Sequence, residues 1–215
     1  MNKIKTFYTP KQVCTKMSAS FSKSPLKPKL LMEKIENTGL GSHFDIIDYF
    51  QPLKKSDFYI AHTKEYVDNV FNMKGNYKSN SLPWSRELVN SLHYTTGSLL
   101  AAKRHVIQNP DQLCFAPVSG MHHAHPDSGS GFCTFSGQVI SAIKIFSEFG
   151  LSGAYLDLDG HYGNSIEDAY SFNPTLLKAI PKGCNVNPQG RNSAYLGDFK
   201  GKLKLVEEMI LSNKV

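Results

Sequence analysis

The stretch GFCTFSGQVISAIKIFSEFGLSGAYLDLDGH (Gly131–His161) decides the fold. It opens at the end of a glycine-rich loop, Ser128-Gly129-Ser130-Gly131. Val139, Ile140, Ile143 and Phe146 then recur at the three- and four-residue spacing of an amphipathic helix. Gly150 follows as a helix stop, and Gly153 to Asp159 reads as a β-strand. A helix that feeds directly into a short apolar strand is the repeating unit of α/β proteins. The same alternation extends in both directions. Phe58-Tyr59-Ile60-Ala61 predicts a strand, followed by a helix with Tyr66, Val67, Val70 and Phe71 on one face and Thr63 as its N-cap. Pro83 to about Gln108 predicts a long helix carrying Leu88, Leu92, Leu99, Leu100 and Val106, with Pro110 beyond its end. Leu113 to Val118 predicts the next strand and Leu176 to Ile180 another. A last helix carries Phe199, Leu203, Val206 and Met209. The pattern implies an α/β fold, a mostly parallel sheet flanked by helices, in a single domain spanning residues 1–215. No internal repeat or low-complexity tract interrupts it.

The strand at Tyr155-Leu156-Asp157-Leu158-Asp159-Gly160-His161 ends in chemistry. Strand side chains alternate between faces, so Asp157, Asp159 and His161 are expected on one side. Two carboxylates and an imidazole suit a divalent ion such as zinc. They are costly to bury in an apolar strand without compensation, and a cation is the simplest compensation. A strand ending in polar residues as it meets solvent is the plainer alternative. The tandem His122-His123 follows the strand expected to end near Val118. Ligands of open α/β sheets gather at the carboxyl ends of strands, so both clusters are expected at one rim.

Composition narrows the partners. A chain of 215 residues with 40% hydrophobic content can bury a substantial core, which excludes a disordered tail. The net charge of +6 comes from scattered lysines, with clusters at 23–29 and 200–204. No basic-aromatic recognition motif accompanies them, so neither nucleic acid nor membrane is expected as a partner. The segment Lys23-Ser24-Pro25-Leu26-Lys27-Pro28-Lys29 could pass for a nuclear signal. A proline-broken loop before a helix explains it more simply. Cys14, Cys114, Cys133 and Cys184 form no Cys-x-x-Cys pair, and no signal peptide or membrane-length apolar run is visible. A reducing, cytoplasmic compartment is the expectation, with nuclear residence left open. Cys133 reads as a buried small hydrophobe and His62 as a structural histidine at a helix start.

Three blocks together resemble a known family. Ser119-Gly120-Met121-His122-His123-Ala124, then Ser130-Gly131-Phe132-Cys133, then Tyr155 through Ala169 are similar to the zinc-dependent histone deacetylases and acetylpolyamine amidohydrolases. Phe7-Tyr8-Thr9-Pro10 and Ile60 to Val67 share the likeness. The resemblance implies the three-layer α/β/α arginase-deacetylase fold and hydrolysis of an acylated amine such as acetyl-lysine or acetylpolyamine. It implies Zn2+ held by Asp159 and His161, with His123 as general base and acid. His122 would be its electrostatic neighbour, paired with Asp157, and Asn164 would sit behind His123. Gly131 would offer its carbonyl to the substrate amide, and Phe132 would wall a narrow acyl channel, although Phe132 also reads as plain core. His125 could itself be a ligand, but the family pattern makes it a rim residue.

The departures are as specific. The family's third zinc ligand, a downstream aspartate, and its oxyanion-stabilising tyrosine or histidine have no counterpart in the sequence. Asp198 falls inside a helical segment, before the expected ligand position. Tyr162 stands where a second histidine is usual, Gly160 replaces a larger residue, and Ser136-Gly137 departs from an Asn-containing pair. The stretch after Phe172 lacks the look of a strand that holds a structural monovalent cation. Three readings follow: part of a longer deacetylase, one half of a split enzyme completed by a second chain, or a non-catalytic acyl-lysine or partner-binding module. A sheet without its later strands is expected to present an unpaired edge. Arginase-type chemistry on two manganese ions is a further enzyme alternative, which would need more aspartates than the motif supplies.

Overall fold

The computed structural model describes residues 3–16, 22–75, 80–187 and 196–212, the side chains of 196–199 excepted. Five strands and seven α-helices form in those residues. β1 (Ile4–Phe7) is central to a parallel sheet, with β2 (Phe44–Ile47) on one side and β3 (Cys114–Phe115) on the other. A second parallel pair joins β4 (Tyr155–Leu156) to β5 (Asn185–Val186), in register Tyr155 with Asn185. The α/β class and the parallel pairing agree with the sequence reading and are consistent with a three-layer deacetylase-like arrangement. Among the described residues no helix is long and apolar enough to cross a membrane.

The helices that carry the core start and stop where side chains can satisfy their ends. In α2 (Lys64–Asn72) the Thr63 hydroxyl accepts the Tyr66 N–H, as expected of an N-cap. In α3 (Arg86–Gln108) Ser85 does the same for Leu88, two residues inside the proline-based boundary. α4 (Gly137–Phe149) ends at Gly150, whose φ of +70° allows its N–H to bond the Phe146 carbonyl at 2.8 Å. Val139 and Ile140 on α4 are fully buried and Ile143 nearly so. Each such side chain contributes roughly 1.5–3 kcal/mol by leaving water. They meet α3, α5 (Ser165–Phe172) and α6 (Leu176–Ala179), and the aromatic group Phe58, Phe71 and Phe135 fills the space beside them. α1 (Lys27–Asn37) follows a short 3-10 turn at Ser24–Leu26, so the basic segment is the helix lead-in expected. α7 (Leu196–Leu211) packs against β5. Asp198 falls on its backbone, but its side chain lies outside the described residues.

Four expected strands are corrected. Residues 58–61 are not a strand: 58–60 end a 3-10 helix, Lys55–Ile60, and Ala61 is its C-cap. The Asp57 carboxylate accepts the Lys54 N–H at 2.7 Å, and this local bond starts a turn that overrides the β-propensity of Phe-Tyr-Ile. Residues 176–179 are helical rather than extended, and of the expected strand Ile180 alone keeps an extended backbone. The Asn173 carboxamide accepts the Thr175 N–H at 3.1 Å, and Pro174 pre-sets the first turn. The strands at 113–118 and 153–159 shrink to two residues each. Pro117 lacks an N–H to continue the first. In the second, Asp157 bends back to accept the Asp159 N–H at 2.9 Å, which takes the backbone out of the extended form. β1, β2 and β5 were not anticipated from the sequence.

The two sheets are not hydrogen-bonded to one another among the described residues. Between β3 and β4 lies an apolar cleft of about 450 Å³, lined by Ala102, Val106, Cys114, Ala116, Ala154 and Ile180.

Candidate active site

The site is assembled by two turns and the start of α5. The tandem histidines occupy a turn after β3, and its position is fixed by the Ser165 N–H, which donates to the His122 carbonyl at 3.0 Å. The opposing segment comes from β4. Its geometry differs from the alternating strand that the sequence suggested. Asp157 accepts the Asp159 N–H, and Asp159 accepts the His161 N–H at 2.8 Å, so two consecutive Asx turns place these residues. Gly163 is clamped in both directions by buried Asn187, which accepts its N–H at 3.0 Å and donates to its carbonyl at 2.6 Å. That clamp holds the end of the loop where Asn164 enters α5.

The side chains converge. His122 Nδ1 donates to Asp157 Oδ2 at 2.8 Å, both groups being about four-fifths buried. The His122 and His123 rings lie 4.0 Å apart, and His123 is 6.1 Å from the His161 ring. His123 Nδ1 faces Asn164 Oδ1 at 3.3 Å. His161 Nδ1 lies 3.0 Å from Asp159 Oδ1, and His122 Nε2 lies 3.9 Å from the same oxygen. A cavity of about 510 Å³ is lined by His122, His123, Gly131, Phe132, Asp159 and His161, with Lys23 and Lys27 at its margin. All eight residues singled out from the sequence therefore border this cavity or bond to residues that do.

Environment separates the two histidines. Burial alone would lower the His122 pKa, but the Asp157 carboxylate overrides it and holds the imidazole above its usual 6.5. His123 is pushed below that value by burial and by the neighbouring His122. Near pH 7 His123 is therefore neutral and able to take a proton. Asp157 and Asp159 both lie below the ordinary carboxylate range: burial opposes this, and the bonds from His122, His161 and backbone N–H groups outweigh it.

Gly131 has a φ of +47°, and a Cβ there would run into the His123 ring. Its carbonyl accepts a weak S–H bond from Cys133 at 3.5 Å. Phe132, with φ of +65°, packs on Cys14, Leu82 and Leu88 while also lining the cavity, so core and wall are the same residue. Burial pushes the Cys133 thiol up to about 11, which removes it as a nucleophile. His62 is fully buried, bonded to the His125 carbonyl and the Ser136 N–H, in the structural role expected of it.

Two features escaped the sequence reading. His125 Nδ1 pairs with Asp168 Oδ2 at 2.7 Å, and Asn164 Nδ2 donates to that same oxygen at 2.8 Å. The four-residue spacing of Asn164 and Asp168 on a helix was the available signal.

The sequence model of the histone deacetylase domain matches residues 22–179. The chain belongs to the histone deacetylase family. Histone deacetylase 8 of Danio rerio is 23% identical over 184 residues, covering 79% of this chain and 47% of the relative. The type-1 histone deacetylase 1 of Dictyostelium discoideum is 23% identical over 197 residues, covering 83% of this chain and 39% of the relative. Histone deacetylase 8 of Xenopus laevis reaches 32% identity over 81 residues, covering 38% of this chain and 25% of the relative. The chain thus spans less than half the length of these relatives.

The donor set fits part of a zinc site. Two ligands about 2.1 Å from a tetrahedral ion sit roughly 3.4 Å apart. The 3.0 Å between His161 Nδ1 and Asp159 Oδ1 suits such a pair. Among the described residues no group of three or more His, Cys, Asp or Glu converges on one point. A third ligand is therefore not supplied by them.

Proposed function

We propose that this chain carries part of the active site of a zinc-dependent amidohydrolase that removes an acyl group from an amine such as acetyl-lysine or acetylpolyamine. The observation that carries the reading is the placement of neutral His123, bonded through Nδ1 to Asn164, beside the Asp159–His161 pair in one cavity. Asp159 and His161 would hold the zinc ion. When bound, zinc supplies Lewis-acid polarisation of the amide carbonyl and acidification of a water towards a pKa of ~7. His123 Nε2 would take a proton from the attacking water as its oxygen bonds to the acyl carbon, and would return that proton to the amine nitrogen as the C–N bond breaks. Proton transfer of this kind contributes roughly 10²–10⁴-fold. His122, kept cationic more readily by Asp157, stabilises the negative charge that develops on the reacting oxygen. Gly131 accepts the substrate amide N–H, and Phe132 packs along the acyl chain.

Two protein ligands hold zinc less firmly than three and leave one more position to water. A ligand from outside the described residues, or from a second chain, would complete the site. The apolar cleft between β3 and β4 supports this reading, because among the described residues these two strands do not pair with each other across it.

The test is acetate release from an acetyl-lysine peptide and from an acetylpolyamine with zinc present, alongside His123→Ala. Turnover that falls about 10²–10⁴-fold in the variant supports the assignment. A chain that binds one zinc without turnover supports the incomplete-site or binding-module reading. Turnover unchanged in His123→Ala overturns the assignment, and two metal ions per chain would favour arginase-type chemistry.

A further inference from the structure

The two ends of a carboxamide are nearly the same size, so shape alone does not fix which end of Asn164 faces His123. Chemistry does. Asn164 Nδ2 lies 2.8 Å from Asp168 Oδ2, one helical turn along α5, where the Asp168 N–H donates to the Asn164 carbonyl. An ionised carboxylate only accepts hydrogen bonds, so the end facing it must be the NH2 group. Turned over, the amide would set two oxygens against each other. Asn164 Oδ1 is thereby aimed at His123 Nδ1, 3.3 Å away. An acceptor at that position selects the His123 tautomer with hydrogen on Nδ1 and a free lone pair on Nε2.

The carboxylate is itself held in place. His125 Nδ1 donates to the same Asp168 oxygen at 2.7 Å. The His125 carbonyl accepts the Nδ1–H of buried His62 at 2.9 Å, while His62 Nε2 accepts the Ser136 N–H at 2.9 Å. A continuous set of bonds thus runs from the start of α4 through His62, His125, Asp168 and Asn164 to His123. Of these side chains, only Asp168 is restricted to accepting at the amide, and so it gives the set its direction.

We propose that Asp168, steadied by His125, is a positioning residue that sets the tautomer of His123 through the orientation of Asn164. Its consequence for turnover rests on the deacetylase reading; the tautomer is a property of the chain itself. The test is the pair of ring ¹⁵N chemical shifts of His123 in the full chain, metal-free and at a pH where the ring is neutral. Wild type is expected with Nδ1 protonated and Nε2 bare. In Asp168→Ala both tautomers are expected, and Asp168→Asn, which keeps the shape but can present either end, should give the same mixture with the least disturbance to folding. Adding Asn164→Asp to Asp168→Ala should restore the single tautomer, because a carboxylate at 164 needs no orienting partner. Turnover of an acetyl-lysine peptide should follow, falling roughly tenfold and returning in the double variant. A His123 that keeps its single tautomer in both Asp168 variants overturns the proposal, as does failure of the double variant to restore it. Shifts that respond as stated in a chain without turnover support the proposal and count against the deacetylase reading alone.

Discussion

Acidification from pH 7 to pH 5 should remove about 2 kcal/mol of folding stability through His62 alone. Its ring lies among Tyr66 and Phe135, with no exposure, and both nitrogens are committed. Nδ1–H donates to the His125 carbonyl, so Nε2 must be the acceptor for the Ser136 N–H. A second ring proton would point at that N–H with nowhere to go. Burial accordingly lowers the pKa from 6.5 to about 4, against the smaller opposing pull of the backbone bonds and Asp127. In the unfolded chain the ring titrates near its ordinary value. Between the two values the unfolded state binds more protons than the native state, so stability is fully present above pH ~6.5 and is lost as pH falls towards 4. The limiting loss is 1.36 kcal/mol per unit over a shift of about 2.5 units, or about 3 kcal/mol. Urea unfolding at pH 7, 6, 5 and 4.5 measures it, with His62→Gln as the reference. Glutamine can donate and accept along the same line but does not titrate. The variant starts less stable because ring packing is lost, so the quantity compared is the slope with pH, from which other titrating groups cancel. Wild type should lose about 2 kcal/mol more than His62→Gln between pH 7 and pH 5. Parallel losses in the two proteins would refute a neutral, doubly bonded His62.

Gly131→Ala should depress acetyl-lysine turnover at least about tenfold, because its Cβ meets the His123 ring, while the φ of +47° adds only about 1 kcal/mol of strain to folding. Paired kinetics and urea unfolding would show whether the effect is confined to the site. Phe58→Ala should cost about 3–5 kcal/mol, since Phe58 is fully buried against Phe71, His93 and Phe135. A loss below about 1 kcal/mol in urea would mean that this aromatic cluster is not the packed centre of the domain.

The fold class was legible because α4 carries its apolar residues at helical spacing and Gly150 stops it; no tertiary context was needed to see either. Thr63 shows the same locality. β1 and β2 were not legible. Lys5 and Thr6 break any apolar run in β1, and Asp45 interrupts β2, so both become strands through pairing with each other rather than through their own composition. At Phe58 and Leu176 the apolar pattern suggested strands, and single side-chain-to-backbone bonds from Asp57 and Asn173 made helical turns instead. The site residues were found by type and order. The reason they converge was not: alternation along a strand was expected, and Asx turns at Asp157 and Asp159 do the placing. The His125–Asp168 pair joins residues 43 apart in sequence, a distance at which no local pattern operates.

Anomalous diffraction at the zinc absorption edge, from crystals grown with excess zinc, addresses the metal site directly. The expected result is one peak within about 2.0–2.2 Å of both an Asp159 oxygen and a His161 ring nitrogen, on the cavity side facing His123. Zinc bound only at other groups, with Asp159 and His161 still bonded to each other alone, would contradict a metal-dependent hydrolase site in this chain.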